Sequence, residues 1–110
     1  MAHQPRTSEQ RQETRVGVEL PARISLGPEI FLQGQLKDLS LKSAFIALKS
    51  KLYLQPNDEI SFAIFRSQDE ADVIQGLARI SRIVVGEGLA IYFTKLDDAS
   101  IGRLRELLKQ

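Results

Sequence analysis

The chain has 110 residues, 43% of them hydrophobic, which is enough for one domain with a modest core. Fifteen Lys and Arg residues against fourteen Asp and Glu residues give a net charge of +1. This near balance argues against a general DNA- or RNA-binding protein, because attraction to a polyanion needs a large basic excess. There is no cysteine, which excludes a disulfide framework and thiol chemistry.

The first fourteen residues are polar and have no periodic apolar face, so residues 1–14 are predicted to be a flexible tail and residues 15–110 a single domain. No apolar run approaches membrane-spanning length, so we expect a cytoplasmic protein without membrane insertion. The single histidine, His3, lies in this tail, and no metal site or resident cofactor is expected.

Period-two alternation begins at position 15, and the apolar members of the first strand are Val16, Val18, Leu20, Ala22, Ile24 and Leu26. Pro21 predicts an edge or a bend in that strand. Further strands are predicted over residues 30–38, 44–48, 60–64, 73–85 and 89–93, with turn signals between them. Polar residues 66–70 are expected to form a loop tip, with Asp72 also solvated. Short strands with regularly spaced turns favour an antiparallel barrel.

A helix is predicted after the last strand, capped by Asp97 or Asp98. Its apolar stripe consists of Ile101, Leu104, Leu107 and Leu108. The residues expected to face water are Arg103, Arg105, Glu106 and Lys109. The stripe predicts a packing helix that covers the flank or the mouth of the barrel.

Two short motifs carry the candidate chemistry. Arg11 and Arg15 lie four residues apart, and Asp38, Ser40 and Ser43 follow the next predicted strand. An arginine fork fits the O6/N7 edge of guanine or a phosphate, while a carboxylate accepts hydrogen bonds from guanine N1 and N2 and a hydroxyl suits a phosphate oxygen. Taken singly, such arginines are usually solvated charges and such serines usually stabilise a turn. Together they indicate a site for a guanine nucleotide.

These motifs resemble those of the PilZ domain, the bacterial receptor module for cyclic di-GMP, and the segments 55–60, 78–82 and 89–93 are similar to other parts of that family. The resemblance implies a mainly β fold, a six-stranded antiparallel split β-barrel with a C-terminal α-helix. It places Arg11 and Arg15 on guanine edges and phosphates, Asp38 on guanine and Ser40 on a phosphate. The implied function is a receptor whose tail changes conformation on ligand binding and signals to a downstream protein partner.

One residue departs from the family pattern, because Ser43 stands where the family has glycine. A side chain at a positive φ costs about 1–2 kcal/mol, so we expect weakened binding if the loop needs that conformation. The Ser43 hydroxyl returns part of the cost if it donates to a phosphate.

Two other classes of function use the same barrel. The same barrel with a lost nucleotide site would be a degenerate protein-interaction adaptor. A barrel that binds single-stranded nucleic acid needs aromatic stacking platforms and a basic groove, and this chain has no Trp and two Tyr. The sequence shows no nucleophile–base pair and no Gly-rich phosphate loop, so we do not expect an enzyme. We expect a monomer or a weak homodimer.

Overall fold

The computed structural model describes residues 15–48 and 54–109. Its strands are β1 (Val16–Ser25), β2 (Phe31–Leu39), β3 (Ser43–Ala47), β4 (Glu59–Phe65), β5 (Val73–Val84) and β6 (Gly88–Leu96). They are followed by helix α1 (Asp98–Leu108). In this part of the chain, no helix has both the length and the apolar character needed to cross a membrane.

The six strands form a closed barrel in the order β1-β2-β3-β6-β5-β4, and every neighbouring pair is antiparallel. Its interior is filled by branched aliphatic side chains, among them Ile24, Leu36, Ile46, Ile64 and Ile91, each fully buried. Alternation places these residues on the inner face of their strands and polar residues on the outer face. The predicted fold class, a six-stranded antiparallel barrel with a C-terminal helix, is confirmed.

Strand β1 follows the alternation and bends where the sequence suggests. It pairs with β2 over almost all its length but with β4 only from Ala22 to Ser25. Pro21 is the residue immediately before the β4-paired part, so its missing N–H leaves no gap in that ladder. A register shift between Gly17 and Leu20 lies beside it. These features agree with the predicted edge or bend.

Helix α1 is capped as the sequence predicts. The Asp97 carboxylate accepts a hydrogen bond from the Ser100 N–H at 2.7 Å. Ser100 is fully buried, and its hydroxyl accepts from the Gln75 N–H of β5 at 3.0 Å. Leu104 and Leu107 are buried in the barrel core cluster. The helix therefore covers the barrel with its apolar stripe and is fixed to β5 by a specific hydrogen bond.

A cluster of charges ties the β4–β5 loop to the helix, which corrects two expectations. Arg66 binds Asp72 at 2.7 Å and Glu106 at 2.8 Å, and Arg103 donates to the Val73 carbonyl at 2.9 Å. Asp72 and Arg103 are half-buried rather than solvated. Their sequence neighbourhood is polar, and only the tertiary contact between loop and helix brings them together.

The lowered pKa of Asp72 in this cluster predicts that the stability of the domain falls in acid. The hydrogen bond from Arg66 lowers the pKa of Asp72 below its ordinary value of 3.8. A carboxyl whose pKa is lowered on folding contributes stability above the unfolded pKa and loses it as pH falls through the folded value. We expect Asp72→Asn to lower Tm at pH 7 and the difference from wild type to narrow below about pH 4. Thermal denaturation from pH 7 to 2 measures this.

The matched control is Glu70→Gln, because Glu70 is an exposed carboxylate in the same loop. This variant is expected to follow the wild-type profile throughout. A constant difference in Tm between wild type and Asp72→Asn over the whole pH range contradicts the proposed role of the Asp72 carboxylate.

Candidate functional site: a charged cleft on the barrel wall

A row of paired residues crosses five neighbouring strands on the outer wall of the barrel. Gly17 of β1 pairs with Asp38 of β2, Asp38 with Phe45 of β3, Phe45 with Ala90 of β6, and Ala90 with Arg82 of β5. Directly paired residues share one face of a sheet. The strand pairing therefore places a carboxylate, an aromatic ring and a guanidinium along one line.

An open cleft of about 380 Å³ lies over this row. Its polar side is formed by Arg15, Asp38, Ser43, Ser81 and Arg82, and Phe45 and Ala90 form an apolar side. This volume is within the range of small-molecule sites, which combine apolar walls with a few convergent polar groups.

The structure brings three of the predicted site residues together. Arg15 donates from Nη2 to Asp38 Oδ1 at 2.5 Å and from Nη1 to Ser43 Oγ at 2.7 Å. The side chains of Arg15 and Asp38 are 41% and 39% exposed, so the pair stands in solvent at the edge of the cleft. The two hydrogen bonds orient the guanidinium plane before any ligand arrives.

Asp38 keeps acceptor capacity beside this ion pair. The contact with Arg15 uses one carboxylate oxygen, Oδ1. A carboxylate has two oxygens and about four lone-pair sites, so Oδ2 is able to accept further hydrogen bonds. A donor-bearing edge of a flat ring is the natural partner for that oxygen.

Ser40 has a different environment from the phosphate-facing one that the sequence suggests. It is fully buried, and its Oγ accepts from the N–H groups of Lys42 at 3.2 Å and Ser43 at 3.0 Å. It also lies 3.1 Å from Ser43 Oγ. Ser40 therefore stabilises the β2–β3 turn, and its direct contact with a phosphate stays a prediction.

Ser43 does not adopt the positive φ on which the expected loss of affinity depended. Among the described residues, Asn57 is the only non-glycine residue with a positive φ. Ser43 is the first residue of strand β3 and pairs with Tyr92 of β6. An L-residue therefore fits this position without a left-handed penalty. The Ser43 side chain lies in the cleft as a hydroxyl bonded to Arg15, so its effect on a ligand comes from that hydroxyl.

Phe45, Ser81 and Arg82 were not among the predicted site residues. The segment 78–82 resembles part of the PilZ family, but alternation along β5 predicts that only one of Ser81 and Arg82 faces outward and does not show which one. A register shift between Ile80 and Arg82 turns both outward. Register shifts of this kind are visible only in the pairing of strands.

Arg11, the remaining predicted site residue, lies outside the described residues, as does the predicted tail over residues 1–14. Within residues 15–48 and 54–109, no group of three or more His, Cys, Asp or Glu side chains is arranged to hold a metal ion. The described side chains of the cleft offer two guanidinium groups, one carboxylate, two hydroxyls and an apolar side. That set matches a small anion that also carries a flat ring with hydrogen-bond donors.

Fold and cleft together define a small antiparallel barrel with a ligand-sized charged cleft on its outer wall. The chain belongs to the PilZ domain family, whose model matches residues 9–110. A comparison with curated proteins finds no significant match.

Solved structures with this fold are similar at low sequence identity. The inhibitor of motility MotI/DgrA of Bacillus subtilis superposes with a TM-score of 0.75 at 17% identity, covering 90% of this chain and 49% of that one. This chain thus spans about half the length of that protein. The PilZ domain of YcgR from Escherichia coli, solved with c-di-GMP, gives 0.75 at 17% identity over 91% and 89% of the two chains. The PilZ domain of CeSA from a cellulose-synthesizing bacterium gives 0.65 at 18% over 86% and 94%.

Proposed function

We propose that this protein is a receptor domain for cyclic di-GMP and that the charged cleft binds the nucleotide. The observation that carries this proposal is that Arg15 donates to both Asp38, at 2.5 Å, and Ser43, at 2.7 Å, at the edge of the cleft. Membership of the PilZ domain family and the likeness of fold to a PilZ domain solved with c-di-GMP support it.

The charges of the cleft suit this ligand. Cyclic di-GMP carries two phosphodiesters, each with one negative charge, and the cleft has two guanidinium groups against one carboxylate, those of Arg15, Arg82 and Asp38. Arg15 donates to a phosphate oxygen or to the O6/N7 edge of guanine. Phe45 and Ala90 give the flat rings an apolar surface.

Selectivity for guanine rests on Asp38. Guanine presents donors at N1 and N2, which the free oxygen of the carboxylate accepts, whereas adenine presents an acceptor at N1. Two acceptors that face each other repel, so Asp38 disfavours the adenine analogue. The expected discrimination comes from this acceptor–acceptor repulsion and from the hydrogen bonds that adenine cannot donate, while Asp38 keeps its ion pair with Arg15.

Isothermal titration with cyclic di-GMP tests the proposal, with cyclic di-AMP as a control of equal charge. We expect saturable binding of the guanine ligand and much weaker binding of the adenine ligand. Absence of binding at ligand concentrations near a millimolar contradicts the receptor function. The protein would then be a PilZ adaptor that contacts a protein partner without nucleotide.

Signalling is proposed to run through the segment that precedes β1. Arg15 is the residue immediately before β1, so a ligand held at Arg15 lies where the chain enters the barrel. We propose that Arg11 adds a second fork to that ligand, and that this changes the surface offered to a downstream protein partner.

Amide hydrogen exchange measures this coupling. Residues 6–14 are expected to exchange more slowly in the presence of saturating cyclic di-GMP than in its absence, because a contact from Arg11 orders the backbone around it. The Arg11→Ala variant serves as the control and should lose the slowing while retaining part of the affinity. Equal exchange with and without saturating ligand in the wild-type protein contradicts the coupling and leaves ligand binding itself untouched.

A further inference from the structure

Strand β5 contains a bulge that delivers two polar side chains to the cleft. Ile80 pairs with Ile91 and Arg82 pairs with the adjacent Ala90, so Ser81 is an extra residue in β5. Ser81 and Arg82 are consecutive, yet both are exposed and both line the cleft. The Ser81 hydroxyl donates to the Ala90 carbonyl at 3.2 Å, which fixes the bulge against β6. Bulges re-aim side chains in this way beside functional sites.

Arg82 differs from the other arginines near the cleft in its contacts. Arg15 is bonded to Asp38 and Ser43, and Arg79 donates to the Asn57 carbonyl at 2.8 Å. Across the described part of the chain, Arg82 makes no hydrogen bond or ion pair with another residue. Its guanidinium is thus an exposed cation in the cleft that no other described residue engages.

The two cations stand at opposite ends of the cleft. Arg15 is held over β2 and β3 by its contacts with Asp38 and Ser43. Asp38 and Arg82 are three strand spacings apart along the paired row, which corresponds to about 14 Å between their backbones along the wall. Phe45 and Ala90 lie between them. A ligand seated at Arg15 and Asp38 therefore meets Arg82 only if it extends across the apolar side of the cleft.

We propose that Arg82, presented by the bulge at Ser81, binds the second half of the dinucleotide, and that this half packs against Phe45 and Ala90 on the apolar side of the cleft. This inference rests on the proposed function and assigns the division of labour within its site. Arg15 and Asp38 hold one guanylate unit, and Arg82 donates its fork to the phosphate or guanine of the other. An exposed guanidinium exchanges water for a charge-assisted contact with little cost in broken protein contacts.

Titration of wild type, Arg82→Ala and Arg105→Ala with cyclic di-GMP tests the assignment. Arg105 is an exposed arginine in the last turn of α1, so its removal makes the same change in net charge away from the cleft. We expect Arg82→Ala to weaken binding by about tenfold or more, and Arg105→Ala to stay within about twofold of wild type.

Amide chemical shifts separate a contact from a distant effect of charge. In the wild type, ligand is expected to shift the amides of Ser81, Arg82 and Ala90 as well as those of Asp38 and Ser43. In Arg82→Ala, the shifts on β5 and β6 should shrink while those at Asp38 and Ser43 remain. Equal loss of shifts at both ends contradicts a contact confined to the second half.

The titration distinguishes the role of Arg82 from the receptor function of the domain. Wild-type binding with unchanged affinity in Arg82→Ala overturns the role of Arg82 and leaves the receptor function standing. No wild-type binding near a millimolar overturns the receptor function, and the role of Arg82 falls with it. Thermal denaturation confirms that each variant is folded, which is expected because Arg82 and Arg105 are both exposed.

Discussion

Replacing Leu104 with alanine is expected to lower the free energy of unfolding by about 2–5 kcal/mol, measured by urea denaturation. Leu104 is 1% exposed and belongs to the core cluster that fills the barrel. Its truncation removes apolar contacts and leaves a cavity between α1 and the strands. The helix has few ways to collapse into that space, because Asp97 caps its start and Ser100 fixes it to Gln75.

The same substitution at an exposed leucine is the matched control. Leu41 is 51% exposed in the β2–β3 turn, and Leu41→Ala is expected to change stability by no more than about 0.5 kcal/mol. If Leu104→Ala is as stable as Leu41→Ala, the apolar stripe of α1 does not pack against the barrel in solution. That stripe would then be a surface for a partner.

The barrel and its helix follow from the sequence because their patterns are local. Alternation from position 15 onward identifies β1, and spacings of three and four residues identify α1 with its cap at Asp97. The strand order β1-β2-β3-β6-β5-β4 is not a local property. Alternation and turns predict the strands and an antiparallel barrel, and the resemblance to the PilZ family adds the six-stranded split barrel as one specific fold.

The cleft is less predictable because register shifts shape it. Period-two counting assigns consecutive residues to opposite faces of a strand. At the register shift in β2, however, the consecutive residues Lys37 and Asp38 both face outward. At the register shift in β5, Ser81 and Arg82 do the same. A bulge depends on how two strands pair, so no count along one strand reveals it. Arg82 was therefore absent from the predicted site.

The β2–β3 turn shows how far a motif can be interpreted from residue types. The sequence identifies Ser40 and Ser43 as members of one motif, and the structure places their hydroxyls 3.1 Å apart. The sequence does not show that Ser40 is fully buried, because burial depends on tertiary packing. Ser43 has no left-handed backbone, so the loss of affinity that such a conformation would cause is not expected.

Arg15→Ala is expected to weaken binding of cyclic di-GMP by about 1–3 kcal/mol, which corresponds to a loss of affinity between about fivefold and about 150-fold. The existing pair with Asp38 does not obstruct this role. Both side chains are about 40% exposed, and an exposed ion pair contributes only about 0–1 kcal/mol. When the Arg15 guanidinium turns partly toward a phosphate or guanine edge, it therefore loses less free energy from the ion pair than it gains from a charge-assisted hydrogen bond to the ligand.

The loss at Arg15 should exceed the loss at Arg11 measured in the same titration. Asp38 and Ser43 already hold Arg15 in the cleft, so little conformational entropy is lost when ligand binds there. Arg15→Lys keeps the charge without the planar fork and is expected to lie between wild type and Arg15→Ala. Arg105→Ala controls for net charge, and thermal denaturation controls for folding. If a folded Arg15→Ala variant binds cyclic di-GMP with the affinity of the wild type, the nucleotide is held elsewhere on the barrel.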